Sequence, residues 1–214
     1  MGSSVRWWHA VGDDGSVTTA ITTVPLANDW IELEPLTPGH LDELTAAVSE
    51  PDELFRWVAT WRPDSDGSLA GPLERTLAAV ASGDVVPWAI RRRADGRVVG
   101  STSYLDVDAA NRRVEVGSTW IGPAWWRTEV NTATKLLVIG HAFETLGLER
   151  VALKTDHLNV RSQRAIERLG AVREGVLRHH MRRPDGTWRD TVYYSILSAE
   201  WPGVRKRLEA ALAR

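Results

Sequence analysis

The sequence predicts an α+β domain on a largely antiparallel sheet. Three observations carry that prediction. Strand-like and helix-like stretches follow one another as strand, helices, three strands, long helix, strand, helix, two strands. Several of the strands are joined by turn sequences, Ala94-Asp95-Gly96, Asn111-Arg112-Arg113 and Pro184-Asp185-Gly186, which turn the chain straight back on itself. And from Ala133 apolar residues fall at 133, 136, 137, 140 and 143, the spacing of a helix with one buried face, closed by Gly147. A chain of 214 residues is long enough for one packed domain with additions and does not demand two.

Residues 1–24 form an extension. Two β-prone runs, 6–11 and 16–22, flank Asp13-Asp14-Gly15 and predict an added hairpin whose Trp7-Trp8 pair caps the body or a partner subunit. A poorly ordered terminus is the alternative. The body, residues 25–214, opens with an alternating strand at 30–36. Thr37-Pro38 then begins a helix with Leu41, Leu44 and Val48 on its buried side, followed by a short helical piece at 54–58. Residues 62–68 read as a loop and 72–82 as a helix. Strands follow at 85–92 and 97–107, and another begins at Val114. After the long helix comes a strand at 150–156. Asn159 caps a helix over 160–169 that Gly170 ends. Residues 172–183 and 188–197 form a final hairpin, and 201–212 a closing helix with Val204, Leu208 and Leu212 at four-residue spacing.

Bulk properties narrow the function classes. Basic and acidic residues number 26 and 28, so no overall basic footprint points to nucleic acid. The absence of cysteine excludes a thiol nucleophile, thiolate metal sites and disulfides, and is consistent with a cytoplasmic protein. No apolar run approaches the length of a membrane span, and no metal-ligand spacing stands out. Adjacent His179 and His180 lie in an arginine-rich strand. Neighbours on a strand point to opposite faces, so they are poorly placed to share a metal; a surface role and a position facing an acceptor site are both open.

The segment 125–132 delivers backbone N–H groups to the start of the long helix. The first N–H groups of a helix lack partners and the helix dipole is positive there, so this is a natural seat for the phosphates of a cofactor.

Five sequence words in this order carry a resemblance: Val114-Glu115-Val116-Gly117, Asn159-x-x-Ser162, Ala165-Ile166-Glu167-Arg168-Leu169-Gly170-Ala171, Arg173-Glu174-Gly175-Val176-Leu177-Arg178, and Pro184-Asp185-Gly186 followed by Asp190-x-x-x-Tyr194. Over roughly residues 25–200 the chain resembles the GNAT superfamily of acyl-CoA N-acyltransferases, and within it the branch that acetylates the N-termini of ribosomal proteins. The resemblance implies the GNAT fold, a mostly antiparallel mixed sheet flanked by helices, here with the added N-terminal hairpin. It implies fourth and fifth body strands that splay apart to admit the pantetheine arm of acetyl-CoA. The activity implied is direct transfer of an acetyl group to a primary amine, on a protein N-terminus or a small molecule, with homodimers common in the family.

Such a reaction needs a neutral amine, a polarised thioester carbonyl and a proton for the departing thiolate. By resemblance Glu115 is the base, directly or through water, and Ser162 donates to the leaving sulfur. Asn159 anchors the pantetheine amide, and backbone groups of Trp120 and Ile121 pair with the arm. Glu115 as an ordinary paired surface charge, and Asn159 and Ser162 as a helix cap and its third position, are the structural alternatives. The phosphate loop departs from the branch's W-G-x-G-x-N pattern. It reads Trp126-Arg127-Thr128-Glu129-Val130-Asn131, with Arg127 and Glu129 replacing both glycines. A carboxylate there repels a pyrophosphate, whereas an arginine attracts one. Arg127 and Lys135 are therefore expected to supply anion contacts beside the backbone of Thr128, Val130, Asn131 and Thr132. Glu129 is free to pair with Arg127 across the loop. The altered loop leaves a second reading open, a non-catalytic or repurposed descendant that binds another ligand or partner.

Overall fold

A computed structural model describes residues 9–11, 17–19, 21–49 and 51–213. In the extension, β1 (His9–Val11) pairs antiparallel with β2 (Val17–Thr19), with His9 opposite Thr19. The Asp13-Asp14-Gly15 turn and the Trp7-Trp8 pair lie outside the described residues.

The body begins with a two-residue strand that the sequence did not announce, β3 (Leu26–Ala27), followed by β4 (Ile31–Pro35). Pro38–His40 make a 3-10 turn leading into α1 (Leu41–Ala46), and α2 (Pro51–Phe55) and α3 (Ala70–Ala81) follow. Next come β5 (Val85–Arg92), β6 (Val98–Asp108), β7 (Arg113–Ile121) and α4 (Val130–Gly140). The chain ends with β8 (Arg150–Asp156), α5 (Val160–Leu169), β9 (Val172–Arg182), β10 (Trp188–Leu197) and α6 (Trp201–Leu212).

Eight strands form one sheet in the order β3-β4-β5-β6-β7-β8-β10-β9. Every neighbouring pair is antiparallel except β7 and β8. The parallel join follows from connectivity: α4 carries the chain across the sheet from the end of β7 to the start of β8, and a crossover returns the chain in the same direction. The pairing covers only Arg113, Val114 and Glu115 against Arg150, Val151 and Ala152, after which the two strands part. That divergence is the gap the resemblance implies.

The sheet separates two apolar clusters. Val114, Val116 and Ile121 of β7 join Val130, Ala133, Val138 and Ile139 of α4 and Trp201, Val204 and Leu208 of α6 in one. Trp120 belongs to the other, with Leu44, Phe55, Trp61, Leu69 and Leu73 from the helices after β4. The Phe55 and Trp61 rings lie 5.4 and 5.5 Å from that of Trp120. The long helix keeps only part of the expected stripe. Ala133 and Gly140 are buried as expected, but so are Val130, Thr134, Lys135, Val138 and Ile139, while Leu136, Leu137 and, in the turn beyond, Phe143 are only partly buried. Packed between the sheet on one side and α6 on the other, it has two covered sides, so apolar periodicity does not single out the sheet-facing one. A five-residue π turn, His141–Thr145, ends it.

Candidate active site

Glu115 is the last residue of β7 to pair with β8, and it sits on the face opposite α4. Its carboxylate is nearly enclosed, at 3% exposure, and its Oε2 receives the Lys154 ammonium at 2.8 Å. Gly117 keeps this arrangement open, because a Cβ there would come within 2.8 Å of Glu115 Oε1 and of Leu105 Cδ1. The small third residue after Val114 in the Val114-Glu115-Val116-Gly117 word thus has a steric cause. Beyond it β7 bulges: Ser103 faces Gly117 but Ser101 faces Trp120, and Ser118 takes a left-handed φ of 47°. The bulge turns Trp120 into the smaller cluster, and the Ser118 hydroxyl is 2.9 Å from that of Thr60.

The end of β7 leads into the phosphate-loop segment. The Ile121 carbonyl, which the resemblance assigns to the cofactor arm, accepts a hydrogen bond from the Trp126 indole at 2.7 Å. Arg127 is exposed and has φ of 62°, a conformation that glycine adopts freely and other residues at a cost. The missing glycine has left its backbone conformation behind. Thr128 Oγ1 donates to the Trp125 carbonyl at 2.7 Å and lies 3.4 Å from the Val130 N–H. Glu129 does not turn to Arg127: Arg92 Nε donates to its Oε1 at 2.9 Å. Burial opposes ionisation of Glu129, but its own backbone N–H and the Arg92 guanidinium outweigh burial and hold the carboxyl below its usual range. The charge expected to repel a pyrophosphate is therefore compensated by β5. The N–H groups of Val130, Asn131 and Thr132 precede the first helical bond, from Ala133 N–H to Glu129, and so lack helical acceptors.

Lys135 turns inward from α4. It is 6% exposed, and its Nζ donates to Thr119 Oγ1 at 2.8 Å, which in turn lies 2.8 Å from Thr102 Oγ1. Burial alone pushes its ammonium down to about 7. The anion contact expected of it at the protein surface is at odds with this placement. A cation that the sequence did not single out stands nearer: the Arg161 guanidinium of α5 lies 3.9 Å over the Trp126 ring. That contact brings the α5 N-terminus against the phosphate loop, across the gap between β7 and β8.

On the β8 side of the gap Asn159 Oδ1 accepts the Ser162 N–H at 3.0 Å, so the helix cap is formed. Asp156, at the end of β8, is held by Arg183 through two hydrogen bonds of 2.7 and 2.9 Å. Burial raises the Asp156 carboxyl, but Arg183 and the Leu158 N–H more than offset it and keep it below the usual range.

On the same face as Glu115, Lys154 lies opposite Tyr193 of β10, with its Nζ 5.9 Å from the ring centre. His180 meets Tyr193 edge-on at 5.8 Å, and its Nδ1 is 3.1 Å from Thr191 Oγ1. Lys154, Tyr193, Thr191 and His180 join Glu115 only through the sheet register. Alternation along β8 was the one signal in the sequence that could have found Lys154.

Comparison with known proteins decides the family. The sequence model described as acetyltransferase (GNAT) domain matches residues 31–172. The chain belongs to the GNAT family. YdaF of Bacillus subtilis (strain 168), provisionally named a ribosomal N-acetyltransferase, is 37% identical over 109 residues, covering 51% of this chain and 58% of that protein. A crystal structure from T. thermophilus, provisionally described as an acetyltransferase, is 39% identical, covers 90% of this chain and 98% of its own, and superposes with a TM-score of 0.80. RimJ of Mycobacterium smegmatis, solved with CoA-disulfide, shares the fold at 22% identity, with a TM-score of 0.72 over 90% of this chain and 95% of its own. These GNAT relatives mark the chain as an N-acetyltransferase, and the non-catalytic alternative gains no support from them.

Proposed function

We propose that this GNAT enzyme transfers the acetyl group of acetyl-CoA to a primary amine at the N-terminus of a protein, in the cytoplasm. The observation that carries the reading is the parting of β7 and β8 beyond Glu115 and Ala152, with the N-terminus of α4 following one strand and that of α5 the other. An extended arm fits between two such strands because both offer unpaired backbone groups to it. Its phosphates then meet the N–H groups of Val130, Asn131 and Thr132, with Arg127 and Arg161 as the exposed cations nearby. The name of YdaF and the CoA-disulfide in the RimJ structure support the choice of acceptor and donor.

Within this reading Asn159 binds the pantetheine amide while capping α5, and Ser162 returns a proton to the departing sulfur. The acceptor enters from the opposite face of the sheet, where the Glu115 carboxylate, oriented by Lys154, receives its ammonium. Attack forms the carbon–nitrogen bond, expels the thiolate and needs no acyl-enzyme.

Calorimetric titration with acetyl-CoA, combined with mass spectrometry of short peptides bearing free N-terminal Ala, Ser or Met, tests the proposal. Micromolar donor binding and a gain of one acetyl group at the peptide N-terminus are expected. Donor binding with acetylation of simple alkylamines but of no peptide overturns the choice of acceptor. Ser162→Ala is expected to slow turnover about 10- to 100-fold; unchanged turnover with chemistry limiting removes Ser162 from the mechanism.

A further inference from the structure

The strand carrying His179 and His180 is distorted where they occur. Arg189 faces Met181 and Thr191 faces Leu177, so β9 uses four residues where β10 uses two. His179 absorbs the excess with a left-handed φ of 51°, and its N–H donates to Asp190 Oδ1 at 2.7 Å. A non-glycine residue holds that conformation at a cost, and such distortions re-aim side chains. Here the result is a clean division. The His179 ring stacks on Trp188 at 5.2 Å, whereas His180 reaches Thr191 and Tyr193 on the Glu115 face.

We propose that His180 is the group that takes the proton from the acceptor ammonium, with Glu115, itself held by Lys154, positioning that ammonium. This rests on the acetyltransferase reading above. Glu115 is a poor final acceptor for the proton, because a carboxylate already bridged to an ammonium at 2.8 Å loses that compensation on protonation. His180 is exposed, so a substrate amine can reach it. Its Nδ1 lies 3.1 Å from Thr191 Oγ1, and that oxygen also accepts from Arg189 Nε at 3.0 Å. In the tautomer protonated at Nδ1, that nitrogen donates to the Thr191 hydroxyl oxygen, the Nε2 lone pair is free, and the Nδ1–H bond persists when the ring is charged.

Charged groups face the ring from three strands: Lys154 on β8, Arg189 on β10 and Glu115 on β7. Partial burial, then Lys154 and Arg189, push the imidazole below its usual range, while Glu115 opposes them. These influences favour the neutral ring, the form that can accept a proton. The same two cations disfavour the charged form of an incoming amine. In the balanced step, the ammonium gives one proton to His180 Nε2, and the neutral amine attacks the thioester carbon. The carbon–sulfur bond breaks, the second amine proton reaches the sulfur by way of Ser162, and His180 returns its proton to water.

The test compares wild type, His180→Gln and Glu115→Gln, with acetyl-CoA and an Ala-initiated peptide, across pH 5 to 9. For His180→Gln we expect kcat to fall about 100-fold. The acid limb below pH 6.5 should vanish from the kcat profile, and acetyl-CoA affinity by calorimetry should stay unchanged. Glu115→Gln should raise the peptide KM more than it lowers kcat and should keep that acid limb. His180→Gln with kcat within threefold of wild type and the limb intact overturns the proposal while leaving the acetyltransferase reading standing. A wild type that binds acetyl-CoA and acetylates no peptide or alkylamine overturns both.

Discussion

Lys135 Nζ donates to Thr119 Oγ1 at 2.8 Å from a site where burial, and no opposing charge, sets its ionisation. A lysine ammonium has three donors, and a hydroxyl satisfies one of them. Folding therefore pulls its pKa from 10.5 down to about 7. Between those two values the unfolded chain binds a proton that the folded chain does not, so stability rises with pH across that window. Below about 7 the full penalty applies. Lys135→Met keeps the length of the side chain and removes the charge. We expect a higher Tm at pH 6 and a flatter dependence of Tm on pH between 7 and 10.5; an unchanged slope would mean the lysine titrates as it does in water.

The phosphate loop supplies a second expectation. Arg127 holds a left-handed φ of 62°, which costs a non-glycine residue about 1–2 kcal/mol, whereas glycine carries an entropic cost of about 0.5–1 kcal/mol. Arg127→Gly should therefore be neutral to slightly stabilising, by up to about 1 kcal/mol, in chemical denaturation. It should also weaken acetyl-CoA binding modestly and make that binding less sensitive to salt. A marked loss of stability would show that Arg127 has a structural partner.

Arg92 compensates Glu129 at 2.9 Å beside the same helix terminus. Arg92→Ala should weaken acetyl-CoA binding, because it restores a bare carboxylate near the phosphates. The double variant Arg92→Ala/Glu129→Gln should recover most of the lost affinity in calorimetry. Equal weakening in both variants would show that the guanidinium itself contacts the donor.

At the other side of the gap Arg183 pairs with Asp156, which is 2% exposed. Removing one partner of a buried ion pair costs about 3–5 kcal/mol. Arg183→Ala should unfold at correspondingly lower denaturant, and Asp156→Asn/Arg183→Gln should recover part of the loss. The Asp156 carboxyl is depressed in the folded protein, so its contribution is full above the ordinary value of 3.8 and is lost as pH falls through the lower folded value. The acid limb of the stability profile should shift upward in Arg183→Ala.

Local chemistry made most of the architecture legible. The helices at 160–169 and 201–212 and the strands at 85–92, 150–156 and 188–197 lie where caps, turns and alternation put them. Two-residue β3 escaped notice because a strand that short has no periodicity to read, and the π turn at His141–Thr145 has no sequence signature of its own. The buried side of α4 was read only in part, because α6, some sixty residues further on, covers the helix side away from the sheet.

By itself the sequence determined the strand and helix order, the Asn159 cap, the small residue after Glu115 and the family words around them, since each depends on neighbours within a few residues. Only the tertiary structure decided the partners of the charges. Glu115 meets Lys154 rather than solvent, Glu129 meets Arg92 rather than Arg127, Lys135 lies in the core, and Arg161 stands over Trp126. These pairings join residues 35 to 39 positions apart, apart from Lys135, whose partner lies across the helix-sheet interface. Ion pairs form wherever the sheet register brings opposite charges within a few ångströms, and register is a property of the assembled sheet. For the same reason the adjacent histidines were ambiguous in sequence. The bulge that turns His180 toward Glu115 arises where two strands pair out of step, and a single strand holds no record of that.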